Sequence, residues 1–189
     1  NENKEAFERI KQERFNWYLS IGVSEDKLRW KQHDNLVFYA SDAWDIEYEF
    51  PTYGFDEIEG VHDRTDYDLT QHMKHSGVDL NYVDSGTGEK FVPWILETSM
   101  GIGRVFLAVL SDAYTKDEMN GEIRVFLKLK PELAPVKVAV FPLMKNRPEL
   151  VSKAREVYDE LRKTIPQIKF DDNGNVGKRY RRQDEIGTP

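Results

Sequence analysis

Apolar residues recur at different periods along the chain, and the changes of period mark out its elements. The N-terminal stretch sets Phe7, Ile10, Trp17 and Leu19 among charges, the spacing of a surface helix with a strongly charged start. After Gly22, Ser24 followed by Glu25 and Asp26 reads as a helix cap with acids in the first turn, predicting a short helix through Leu28 and Trp30. The period then falls to two. Residues 44–50, Trp-Asp-Ile-Glu-Tyr-Glu-Phe, alternate apolar and acidic side chains until Pro51 stops them, predicting a strand with one buried and one acidic face. Pro51 to Gly54 reads as a turn and Phe55 to Gly60 as a second short acidic strand. Together they suggest an antiparallel pair lining a cleft.

Phe91 to Leu96 reads as a third, more apolar strand leading into Gly101-Ile102-Gly103. Beyond it Ile102, Val105, Phe106, Val109, Leu110 and Ala113 form the stripe of a buried helix. Asn120-Gly121 opens a turn before an alternating strand from Ile123 to Leu129. The prolines Pro131 and Pro135 bracket the expected domain boundary. After it, Val136 to Phe141 is an almost unbroken apolar run, as in α/β sheets covered on both faces. Pro148 opens a helix whose stripe is Leu150, Val151, Ala154, Val157, Tyr158 and Leu161, and Ile168 to Phe170 follows as a short strand. Strand, helix, strand is the beginning of a three-layer α/β unit, and the chain stops before such a unit could close. No internal repeat or low-complexity tract interrupts this order.

Composition narrows the function classes. Cysteine is absent, which removes disulfide frameworks, zinc ribbons, thiol nucleophiles and cysteine-ligated iron, and suits a reducing cytoplasm. No apolar run approaches the roughly 20 residues of a membrane span, and the N-terminus has no apolar signal core, so a soluble, non-exported protein is expected. The absence of an initiator methionine suggests a piece of something longer. The net charge of -7 argues against a nucleic-acid binder, yet it is unevenly placed. Residues 137–182 hold 12 Lys or Arg against 6 Asp or Glu. A basic C-terminal part on an acidic body suits a polyanion partner, and a solvated helix face explains it equally well.

Two clusters could carry chemistry. Residues 57–68 are dense in acids around His62 and Arg64, with His72 and His75 following. His72 and His75 at i, i+3 with Asp66 or Asp68 could bind zinc or iron, but the ordinary reading pairs Arg64 with Asp66 or Asp68 at the start of a helix near Tyr67. Glu57, on the acidic strand, could instead hold the divalent cation of a nucleoside triphosphate. In the second cluster, Glu97 and Ser99 stand two residues apart on a strand end and share one face, where an ammonium group is the natural guest. Gly101 and Gly103 allow close backbone approach, and Arg104 in the first helical turn can reach a phosphate or stack on a base. Alternatively the glycines make a plain turn and Arg104 pairs with a strand carboxylate.

Four segments in order carry a resemblance: Asp56 to Gly60 with Arg64 to Leu69, Glu97 to Arg104, Leu133 to Val140, and Gly177 to Pro189. Together, from about Phe15 to the last residue, they resemble the dimeric type of class II glycyl-tRNA synthetase. The resemblance implies an α+β catalytic domain built on an antiparallel sheet with helices (residues 1–132), then the start of an α/β anticodon-binding domain (133–189). It implies ATP contacts at Glu57, Ile58, Gly101, Ile102, Gly103 and Arg104, with Glu57 on the magnesium that accompanies ATP. It implies glycine contacts at Glu97, Thr98, Ser99, Met100 and Gly101. Lys178, Arg179, Arg181 and Arg182 are the basic side chains expected to meet tRNA(Gly). The implied activity is ATP-dependent attachment of glycine to tRNA(Gly) through glycyl-adenylate, by a cytoplasmic homodimer. A non-catalytic tRNA-binding or regulatory relative is the alternative, and a metal-dependent phosphohydrolase a distant third.

Thr98 stands where the family usually has proline, and Gly54-Phe55-Asp56 where it has Gly-Trp-Gly. Neither change removes a ligand-binding side chain, though Asp56 adds negative charge beside the expected magnesium site. The family's first two signature motifs, including the arginine on the ATP α-phosphate, find no counterpart. No catalytic residue is therefore assigned, and the 189 residues alone are expected not to activate glycine.

Overall fold

A computed structural model describes residues 2–119 and 121–189, which divide into two compact units. Among the described residues the first comprises 2–20 and 24–108, the second 21–23, 109–119 and 121–189.

The first unit is a helix on a four-stranded antiparallel sheet. Helix α1 (Glu2–Ser20) precedes strands β1 (Leu28–Gln32), β2 (Asp42–Phe50) and β3 (Gly54–Asp63). Helix α2 (Tyr67–Ser76) and a two-residue ladder between β4 (Tyr82–Val83) and β5 (Lys90–Phe91) lead to β6 (Leu96–Met100), after which α3 (Ile102–Ala113) begins. The strand order is β1-β2-β3-β6. The helix expected through Leu28 and Trp30 is instead a single tight turn, Glu25–Lys27, followed by β1. The reason is period: Leu28 and Trp30 alternate with Arg29 and Lys31, and this alternation matches β2, placing Leu28 opposite Tyr48 and Trp30 opposite Ile46. The strand expected over Phe91 to Leu96 is also displaced, since Pro93 separates β5 from β6 and cannot donate to a ladder.

The sheet face carrying Ile46, Tyr48 and Val61, all fully buried, packs on α1. Phe15 stacks on Trp30 at 5.8 Å and Lys11 lies over Trp44 at 3.8 Å. Glu59 points into this helix-covered face. It accepts hydrogen bonds from Arg14 Nε at 2.6 Å, Arg14 Nη2 at 3.1 Å and the Tyr18 hydroxyl at 2.8 Å. Burial, together with this carboxylate, pushes the Tyr18 phenol far above its ordinary range.

The acidic face of β2 is less open than the alternation implies. Asp45 and Glu47 are buried: His33 approaches Asp45 at 2.8 Å, while Arg29 and Lys31 from β1 flank Glu47 at 2.6 and 3.2 Å. The stripe on α3 is likewise not a wholly buried one. Ala108 and Ala113 are buried, but Ile102 is 83% and Phe106 63% exposed.

In the second unit, β7 (Tyr114–Met119) and β8 (Glu122–Leu127) pair antiparallel. β7 is unannounced by the sequence pattern, and the Asn120 half of the expected Asn120-Gly121 turn lies outside the described residues. β9 (Val138–Val140) and β10 (Ile168–Phe170) pair in parallel, joined through α4 (Pro148–Arg162). Pro148 occupies the first turn of α4, where its missing N–H costs nothing. Helix α5 (Val176–Glu185) starts at Asn175, whose side chain accepts the Lys178 N–H at 2.9 Å. Gly187 closes this region at φ +76°, and a Cβ there would stand 2.8 Å from Leu129 Cδ1 and 3.0 Å from the Leu127 carbonyl.

Candidate functional site

The site is assembled by the sheet face turned away from α1. β3 and β6 pair so that His62 lies opposite Glu97 and Gly60 opposite Ser99. Glu97 and Ser99 therefore project from the same face, two residues apart, while Thr98 and Met100 pair with Val61 and Glu59 on the α1 side. Thr98 and Met100 can offer only main chain to a ligand held by Glu97 and Ser99.

A bulge brings Glu57 to the same face. Ile46 pairs with Glu59, but the next β2 residue, Glu47, pairs with Glu57, so Ile58 is an extra residue on β3. Without it Glu57 would share the face of Glu59 under α1. With it, Ile58 fills the core and Glu57 is exposed, in line with Gly60 and His62. No feature of the acidic alternation marks this shift.

Glu97 is held by charge. Arg64 Nη1 lies 3.1 Å from Glu97 Oε2, and the same guanidinium donates to Asp68 from Nε at 2.6 Å and from Nη2 at 3.1 Å. Its face covers the Tyr39 ring at 4.6 Å. Arg64, through the hydrogen bond it gives, holds the Asp68 carboxyl below the ordinary carboxylate range. The Arg64–Asp68 pair is legible in the sequence, but the contact to Glu97 joins residues 33 positions apart and has no local signature. Asp66 precedes α2 without a side-chain capping bond.

At the end of β6 the chain turns through Gly101 into α3. Ile102 and Gly103 are exposed in its first turn, and Arg104 is half-exposed. Arg104 Nη1 donates to the Glu57 carbonyl at 2.6 Å and Nη2 lies 3.4 Å from Asp56. Arg104 thus meets a strand carboxylate, as one of the two sequence readings expects, and a guanidinium offers five N–H donors, so these contacts do not use all of them. His72 and His75 are exposed on α2, and neither joins a group of described residues able to share a metal. Among the described residues, the group able to share a metal is His33, Asp45 and His62.

The basic residues of α5 divide sharply. Arg179 is 1% exposed, and its guanidinium donates to the carbonyls of Pro142, Asp172, Asn173 and Gly174. It ties loops together and has no surface to offer tRNA, which corrects its assignment as a tRNA contact. Arg182 is bound to Asp171 at 2.6 Å and Arg181 to Glu185 at 3.1 Å. Burial would raise the Asp171 carboxyl, but the Asn173 N–H and the Arg182 and Arg179 guanidinia hold it below the ordinary range. Lys178 is exposed.

Comparison with known proteins fits this arrangement. A solved structure of Giardia lamblia prolyl-tRNA synthetase in complex with prolyl-adenylate superposes with a TM-score of 0.67 at 14% identity, covering all of this chain and 37% of that one. Residues 137–189 match the anticodon binding domain family. The fold is that of a class II aminoacyl-tRNA synthetase, an antiparallel sheet with helices followed by an α/β unit. The chain is 52% identical over 186 residues to the glycine–tRNA ligase of Chlorobaculum tepidum, and 47% identical over 190 residues to that of Caldanaerobacter subterraneus. These matches cover 98% and 100% of this chain but only 39% and 40% of the two relatives, so it spans about two fifths of their length. Its sequence places it among the glycyl-tRNA synthetases, as a segment of such a chain.

Proposed function

We propose that these residues serve an enzyme that joins glycine to tRNA(Gly) through glycyl-adenylate, with ATP as the energy source. The observation that carries this reading is the convergence of Glu97 and Ser99 on one face of β6, with Glu57 and Arg104 meeting at the adjoining edge. A glycine ammonium would sit between the Glu97 carboxylate and the Ser99 hydroxyl. Arg64 fixes that carboxylate from behind, so its orientation is set before the substrate arrives. Glycine offers no side chain to grip, so selectivity rests on gripping the ammonium and leaving no room for a β-carbon.

ATP would lie along the start of α3, with main chain from Gly101 to Gly103 and the Ile58 main chain against the nucleotide and Arg104 donating to a phosphate. Glu57 presents an exposed, hard carboxylate of the kind that suits the magnesium travelling with the triphosphate. Residues 1–132 would then be part of the catalytic domain and residues 133–189 part of the anticodon-binding domain. Lys178 and Arg181, with Arg182 at the edge of its ion pair, form the basic surface for tRNA. No helix among the described residues is long and apolar enough to cross a membrane. With the cysteine-free composition this supports a cytoplasmic enzyme, and the family resemblance supports a homodimer.

The test is ATP–pyrophosphate exchange by a full-length chain carrying these residues. Exchange that requires glycine, and that alanine or serine does not support, is expected. No exchange with glycine would favour the non-catalytic reading, and exchange indifferent to the amino acid would overturn the assignment of glycine as the substrate.

A further inference from the structure

The sheet face that carries Glu97 also gathers three metal-ligating side chains with no role in the site above. We propose that His33, Asp45 and His62 bind a divalent transition-metal ion of the zinc class, through two imidazole nitrogens and one carboxylate oxygen.

The backbone ladder places these residues together. His33 follows β1 and its N–H donates to the Ala43 carbonyl at 3.0 Å, extending the β1–β2 pairing by one step. Ala43 is opposite His62, and Asp45 is opposite Gly60. The three side chains thus share one face, and their ligand atoms all lie within 4.8 Å of one another. The rings of His33 and His62 meet edge to face at 5.5 Å. The Asp45 side chain is 12% exposed, that of His62 25% and that of His33 36%.

The polar groups here lack the partners that burial demands. His33 Nε2 is 2.8 Å from Asp45 Oδ2, yet it is a buried atom without an aligned hydrogen bond, and His62 Nε2 is buried with none either. Two sheltered imidazole nitrogens converging on one carboxylate, unsatisfied as they stand, is an arrangement that a cation resolves by accepting all three lone pairs. Gly60 makes the approach possible: a Cβ there would stand 2.9 Å from His62 Nε2 and 3.6 Å from Asp45 Oδ1. Two nitrogens and one oxygen suit zinc, iron(II), cobalt or nickel better than magnesium, which prefers oxygen throughout. At metal–ligand bonds of about 2.0 to 2.1 Å, tetrahedral donors lie about 3.3 Å apart. The present separations bracket that distance, and side-chain rotation closes the set.

A carboxylate also stands near the other ring nitrogen of His62. A ligating histidine commonly directs its other ring nitrogen at a carboxylate. With Nε2 on the metal, His62 turns Nδ1 toward Glu97 Oε1, 3.8 Å away, and Glu97 is anchored by Arg64. The proposal does not depend on the synthetase reading, because its three ligands lie outside the glycine and ATP contacts.

The test uses the purified 189-residue chain, stripped by a chelator, with zinc or cobalt(II) alone as probe. One tightly bound ion per chain is expected, and X-ray absorption of the zinc form should show two imidazoles with oxygen completing the shell. His33→Ala and His62→Ala should each weaken binding about tenfold or more, Gly60→Ala should weaken it by displacing His62, and the double change His72→Ala with His75→Ala should leave it unchanged. The absorption spectrum is taken on the unaltered chain, so it decides the matter even if a variant fails to fold. No stoichiometric binding, a shell without two imidazoles, or loss confined to the His72 and His75 variant would overturn the proposal.

Discussion

Replacing Arg14 by methionine perturbs the strongest polar anchor between α1 and the sheet. Glu59 is fully buried and receives three hydrogen bonds, two from Arg14 and one from Tyr18. Arg14→Met keeps the aliphatic stem but strands the carboxylate with only the Tyr18 hydroxyl. Removing one partner of a buried ion pair costs about 3 to 5 kcal/mol, because the remaining charge has lost its compensation. The Arg14 side chain is 22% exposed, so water can reach part of the vacated space and the lower end, about 3 kcal/mol, applies. At a urea dependence of about 2 kcal/mol per molar, the unfolding midpoint of the first unit should fall by about 1.5 M. The sharper expectation concerns sign. Adding Glu59→Met to Arg14→Met removes the stranded charge and fills the space with apolar volume, so the double variant should be more stable than Arg14→Met alone. Urea titrations of the single and double variants at neutral pH, followed by circular dichroism, give both quantities. A midpoint shift below about 0.3 M for Arg14→Met, or a double variant less stable than that single one, would refute the reasoning.

Arg179→Ala should destabilise the second unit by about 3 kcal/mol or more, read as a lowered thermal midpoint, since four buried or part-buried carbonyls lose a charged donor. Asp68 supplies a pH dependence: its carboxyl is depressed below 3.8 when folded, so its contribution is complete above that value and is lost as pH falls through the folded-state pKa. Asp68→Asn should therefore flatten the acid limb of stability below about pH 4 while lowering stability at neutral pH. Lys178→Ala should weaken binding of tRNA(Gly) to a full-length chain and reduce the slope of log affinity against log salt by about 0.7 to 0.9. An unchanged slope would remove Lys178 from the interface.

Most elements whose period is unbroken are legible in sequence: β2 from its alternation, α4 from its stripe and Pro148, and β10 from Ile168 and Phe170 flanking Lys169. The departures have physical causes. Ser24-Glu25-Asp26 does make a turn, but two residues later the partner strand β2 captures Leu28 and Trp30, and tertiary pairing overrides the local capping signal. Glu47 on the acidic face of β2 is buried with counter-charges that come from β1, a strand where the local pattern predicts a helix. β7 carries Tyr, Thr, Lys, Asp and Glu without a clean alternation, so only its partner β8 announces it.

The same limits apply to the site. Glu97, Ser99 and Arg104 are close in sequence, and the regular geometry of a strand end running into a helix is enough to fix their relation. Glu57 reaches them through one extra residue in β3, which only register reveals. The meeting of Arg64 with Glu97, and of His33 with Asp45 and His62, depends on strands brought together by the fold. Arg179 shows the converse: a basic run in sequence contains both an exposed lysine and a buried structural arginine, and only packing separates them.

In the proposed function one sheet edge holds two substrates with different side chains, glycine on Glu97 and ATP on Arg104. Pyrophosphate exchange by a full-length chain carrying these residues, with glycine and ATP varied separately, tests it directly. Loss of one charge-assisted contact is worth roughly 1.5 to 3 kcal/mol, or about ten- to a hundredfold. Glu97→Gln should raise the KM for glycine by that factor while leaving the KM for ATP within about twofold, and Arg104→Ala should do the reverse. If Glu97→Gln instead affects only ATP, or if Arg104→Ala leaves exchange unchanged at subsaturating ATP, the division of this edge between the two substrates is contradicted.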